Sequence, residues 1–137
     1  FQTLGYQLNL FSSALKLNTQ YMHTIWFSIQ VRKPITLDQV RSSLEKDPLV
    51  ALTVKTSANT VFSFGRDYGH YGRILNHTVV SLPTLHVRDR HEVLGFCFTP
   101  QDGNSVLSSV AAATWFLYPD SYEERLSCLQ EFVFQEV

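Results

Sequence analysis

The chain has 137 residues, 45% of them hydrophobic and 13% aromatic, and carries a net charge of −1 from 11 basic and 12 acidic side chains. That length suits one domain with a substantial core, and the near-neutral charge leaves no electrostatic footprint for nucleic acid or an anionic membrane. No apolar run approaches the roughly 18 residues a membrane span needs.

In chain order, residues 6–10 and 14–18 alternate as strands do, with Ser12-Ser13 as a turn between them. Residues 21–32 form the stronger strand. Ile25, Phe27, Ile29 and Val31 share one face with His23, which alternation therefore places at least partly inside. Pro34 closes it, and Thr36-Leu37-Asp38-Gln39 is a capping box opening a helix to about Lys46. Asp47-Pro48 stops that helix, and residues 49–55 return as a short apolar strand. Residues 56–59 open a second helix carrying Val61, Phe62 and Phe64 into the glycine-rich segment GRDYGHYGR. Residues 74–82 and 85–88 read as strands separated by Pro83, with a charged hairpin turn, RDRH, after the second. Residues 91–99 alternate again, and Pro100-Gln101-Asp102-Gly103 reads as a polar turn. Asn104 or Ser105 then caps a helix with a broad apolar face (Val106, Leu107, Val110, Ala111, Ala113, Phe116) that Pro119 ends. Asp120-Ser121 starts a last amphipathic helix through Tyr122, Leu126, Leu129 and Phe132. Irregular alternation of the two periods, with short turns between strands, predicts a single α+β domain. Its sheet is largely antiparallel and its helices pack on one face.

The chemistry-bearing signals are sparse. Arg66 and Arg73 flank the glycine-rich segment and suit an anion clamp, because guanidinium groups make charge-assisted bonds to phosphate or carboxylate. The same segment also reads as a glycine-capped helix end with solvated charges. His23 is either a buried, hydrogen-bonded histidine or a catalytic base. No serine sits in a GxSxG elbow, and Cys97 and Cys128 lack the cationic surroundings of an activated thiolate. Two scattered cysteines make no metal site and fit a reduced, cytoplasmic setting.

The stretch YMHTIWFSIQVRKPITLDQVRSSLEKDPLV resembles the strand and helix in the C-terminal domain of archaeal-type glyceraldehyde-3-phosphate dehydrogenase. In that family a Met-His pair opens a strand, a Lys-Pro-hydrophobic-Thr turn follows, and a helix leads to a second strand. FSFGRDYGHYGR is similar to the family's later helix-to-Gly/Arg segment. The resemblance implies an α+β domain beside an upstream dinucleotide-binding domain, in a homo-oligomer that uses NAD or NADP. It implies that His23 assists a catalytic thiol, that Arg66 contacts an anionic substrate, and that Asn104 is a looser match for a cofactor-facing amide. This chain departs from the family in three respects. Nothing matches the nucleophilic cysteine of the family's Ser-Cys-Asn segment, no dinucleotide-binding fingerprint is present, and Ile25 stands where a second histidine is found. The expectation is a fragment of a longer chain that neither binds the cofactor nor turns over alone. The other expectation is a non-catalytic interaction or regulatory module that self-associates through a sheet face or the small-residue helix around Ala111.

Overall fold

The computed structural model describes residues 9–14, 22–70 and 78–137, with the backbone alone at 69, 70 and 102–105. The alternating segment at 14–18 and most of that at 6–10 lie outside them, as does Arg73, and residues 9–14 form no regular element. The ordered chain begins with β1 (Met22–Gln30), α1 (Leu37–Glu45), β2 (Val50–Thr53) and α2 (Ala58–Gly65), which winds on into a π turn at Arg66–His70. Then come β3 (Thr78–Ser81), a 3-10 turn (Leu82–Thr84), β4 (His86–Arg88), β5 (Glu92–Pro100), α3 (Gln101–Leu117) and α4 (Tyr122–Leu126). A second 3-10 turn, Ser127–Phe132, follows.

Local chemistry explains most of these boundaries. Thr36 Oγ1 accepts from Gln39 N at 3.3 Å while Gln39 Oε1 accepts from Thr36 N at 2.9 Å, so the expected capping box opens α1. Asp47 Oδ1 accepts from Leu49 N at 2.9 Å and turns the chain into β2. Between β4 and β5 the backbone of Asp89 and Arg90 is left-handed, with φ of 50° and 58°, and His91 N donates to Arg88 O at 3.1 Å. The charged stretch is thus the hairpin turn its composition indicates. Ile35 N donates to Arg90 O and Val31 N to His91 O, both at 2.8 Å, so the segment after β1 holds that turn in place.

Long β5 is the spine of a five-stranded sheet in the order β1-β5-β3-β2 among the described residues. Along one side it pairs antiparallel with all of β1, from Met22 opposite Pro100 to Gln30 opposite Glu92. Along the other it meets β3 at Phe98 and Cys97, then β4 at Leu94, Val93 and Glu92. Thr84 fills the gap between those two partners: its hydroxyl donates to Ser81 O at 2.7 Å and accepts from Phe96 N at 2.9 Å. Among the strands of the described residues only β2 and β3 run parallel, joined by the crossover containing α2. The α+β class and the largely antiparallel sheet are as the sequence indicates.

The helices do not gather on one face. Adjacent residues of β2 and β3 enter different cores: Ala51 and Val79 join Met22, Phe98, Val137 and Val61 of α2, whereas Leu52 and Val80 join Val93, Cys97 and Val40 of α1. A four-residue strand buried on both sides reads as a continuous apolar run, which hides the two-faced burial from any alternation test. Residues 135–137 close the far edge, Leu52 N donating to Gln135 O and Val137 N to Leu52 O at 2.9 Å each. Among the described residues no helix is long and apolar enough to cross a membrane.

Three further expectations are corrected. Gln101 to Gly103 are the first turn of α3 rather than a loop, and Pro100 takes the cap position with φ −64° and ψ 128°. Proline's fixed φ suits a strand end and a helix start equally, so no intervening turn is needed, and neither Asn104 nor Ser105 is the cap. Gly65 does not end its helix: it is buried and the chain continues helically through Arg66. The apolar side of α3 is mostly open. Among its described side chains Leu107 is buried, while Val106, Val110, Trp115 and Phe116 are exposed.

Candidate functional site

His23 is the second residue of β1, opposite Thr99 near the end of β5. It faces the side α1 covers, yet it is exposed. The reason is position across the sheet rather than periodicity. Val40 of α1 packs over β2, β3 and β5, so the β1 side chains Ile25 and Ile29 on the same face stay 41% and 52% exposed. The expected partial burial of His23 is therefore not found.

Its ring is nonetheless held. Gln101, the first residue of α3, places its side-chain nitrogen 3.0 Å from His23 Nε2. In that arrangement the amide N–H donates and the ring nitrogen accepts. The strand-to-helix junction thus brings His23 and Gln101 together at the positive end of a helix dipole. Asn104 lies in the same first turn of α3.

Arg66 extends from the opposite side of the sheet, after α2. Its guanidinium pairs with Asp67 at 3.0 Å, both side chains more than half exposed. Such a solvated pair contributes about 0–1 kcal/mol and leaves the guanidinium able to change partners. The structure does not place Arg66 on the sheet face His23 points to. A cavity of about 810 Å³ lies between the end of α1, α3 and α4, and neither His23 nor Arg66 lines it.

The sequence reading missed a second polar cluster at the far end of β1. Glu92 is nearly buried; Ser28 Oγ donates to its carboxylate and Arg88 pairs with the other oxygen. The signal available was phase: Glu92 alternates in register with Leu94, Phe96 and Phe98, an acid in a largely apolar row. The Ser28 hydrogen bond first, then the Arg88 guanidinium, hold the Glu92 carboxyl below its ordinary value of 4.5, against the opposing effect of burial. Because the folded-state value is lowered, the stabilisation is fully present above the unfolded value and is lost as pH falls through the folded one. Urea midpoints measured from about pH 7 down to about pH 3 should show Glu92→Gln less stable than the parent near neutrality. That deficit should shrink on the acid side; a deficit independent of pH would contradict the assignment.

No protein-family model matches the chain, and no curated protein matches it.

Proposed function

We propose that this chain is the substrate-binding and assembly domain of a dehydrogenase acting on a phosphorylated or acidic aldehyde, and that the parent protein is a cytoplasmic homo-oligomer. It works beside an upstream dinucleotide-binding domain, which holds the NAD or NADP. The observation that carries this reading is His23: a solvent-open imidazole held by Gln101 where β5 hands over to α3. A substrate hydroxyl or a thiol supplied by the other domain takes the place of the Gln101 amide and meets the ring nitrogen as a proton acceptor. Arg66, across the sheet from His23, and Arg73 supply cationic contacts for an anionic group, and Asn104 faces the cofactor.

The test is an NMR titration of the chain with inorganic phosphate and with glyceraldehyde 3-phosphate. The expected result is movement of the His23 ring and Gln101 side-chain signals with the sugar phosphate, lost in His23→Ala. Affinity for either anion should fall about tenfold in Arg66→Ala. No response to either compound overturns the reading.

A second reading, a non-catalytic interaction module, has its own support in α3, where Trp115, Phe116 and Leu117 are 45%, 77% and 72% exposed. A contiguous apolar helix end of this kind marks an interaction site more often than a free surface.

A further inference from the structure

We propose that β1 is a self-pairing edge: two copies of this chain join β1 to β1, antiparallel, about a two-fold axis through Trp26. The proposal stands apart from the dehydrogenase reading, because it rests on the strand and not on His23. Among the described residues β1 pairs with β5 alone, so its outer side presents a row of unpaired backbone donors and acceptors. The opposite edge of the sheet is covered by residues 135–137.

The phase of the ladder fixes which groups face outward. Val31 N donates to His91 O, one step beyond the Gln30–Glu92 pair. In an antiparallel ladder the hydrogen-bonded residues alternate. His23, Ile25, Phe27 and Ile29 therefore turn their amides and carbonyls to β5, while Met22, Thr24, Trp26, Ser28 and Gln30 turn theirs to the free edge. A two-fold axis through Trp26 sets Met22 against Gln30 of the second copy, Thr24 against Ser28, and Trp26 against itself. Every outward backbone group of the strand then finds a partner. An axis through Phe27 or Ile25 would leave Met22 or Gln30 beyond the end of the second copy's strand, whereas the Trp26 axis pairs the whole of β1.

Side chains agree with this register. The nine residues MHTIWFSIQ contain no lysine, arginine, acid or proline, the usual guards against edge-to-edge pairing. Trp26, 59% exposed, meets its own copy, and Ile25, 41% exposed, meets Phe27, joining the apolar strips under α1 into one layer. No like charges are opposed, since the nearest carboxylate, Glu92, is already paired with Arg88 and Ser28. A closed two-fold pairing also uses up both free edges and so ends the assembly at two copies.

The experiment is sedimentation velocity of the whole chain from about 1 to 200 µM, with amide hydrogen exchange at both ends of that range. The expected result is a concentration-dependent dimer in which the Thr24, Trp26 and Ser28 amides are protected, and a dilute monomer in which they exchange freely. Trp26→Lys opposes two ammonium groups, and Thr24→Pro removes an outward N–H without touching the ladder to β5. Each should raise the dimer Kd at least about tenfold while the monomer's thermal midpoint holds. Phe116→Lys on α3 should leave Kd unchanged. A chain monomeric throughout, a dimer that survives both β1 variants, or edge amides protected in the monomer each overturns the proposal. The last would assign the edge to another segment of the same chain.

Discussion

Phe98→Ala is expected to lower the unfolding free energy by about 3–5 kcal/mol, the range for removing a buried aromatic ring and leaving a cavity behind. Phe98 is 3% exposed and sits where three elements meet: it pairs with Thr24 of β1 and Val79 of β3, and joins the cluster of Met22, Ala51 and Val61. No neighbour can move in to fill the void, because both flanking strands are fixed by their ladders. Phe96 provides the internal control. It lies two residues earlier on the same strand face but is 41% exposed, so Phe96→Ala should cost only about 1–2 kcal/mol. Urea denaturation of the two variants at neutral pH makes the comparison; similar losses would mean that the α2 face is not the packed core.

Gly95→Val should cost about 1–3 kcal/mol by overpacking, despite valine's better strand propensity. Gly95 lies opposite Phe27, and a Cβ built there would come within 2.9 Å of Phe27 Cζ and 3.0 Å of Leu85 Cδ2. The ring of Phe27 thus lies over the backbone of the spine strand, using space only glycine leaves. Gly95→Ala should cost less, since both contacting atoms are ends of side chains that can give by a few tenths of an ångström. The thermal midpoints of Gly95→Val with and without Phe27→Leu form a double-mutant cycle. The second substitution should recover part of the loss. Strictly additive losses would remove Phe27 as the cause.

These residues also show where sequence reading reached and where it stopped. Thr36 with Gln39, Asp47 before Pro48, and the turn at Asp89 and Arg90 are local devices, complete within four residues, and were legible. The alternation in β1 and β5 was legible too, but alternation separates two faces without saying which one a helix will cover. Burial of His23 depended on β1 being an edge strand beyond the reach of α1, a fact of strand order decided elsewhere in the chain. Pro100 was misread because one φ value serves both a turn and a strand that runs directly into a helix. The His23–Gln101 contact spans 78 positions and the Ser28–Glu92 contact spans 64, so neither leaves a mark in any local window. Arg66 beside Asp67 needed no fold to be seen.

The pairing of β1 with β5 sets a clock on synthesis. The ribosome releases β1 before its partner, which lies about 60–80 residues downstream; at about 5–20 residues per second that partner follows some 3–16 s later. Through that interval β1 is without its β5 partner, and among the described residues neither α1 nor β2 makes a ladder with it. Closing so long a loop is slow even in a finished chain, which places refolding toward the millisecond-to-second end of the scale. Nascent β1 is therefore the segment a chaperone must shield, and slower translation between Gln30 and Glu92 should lower the yield of folded protein without altering its stability.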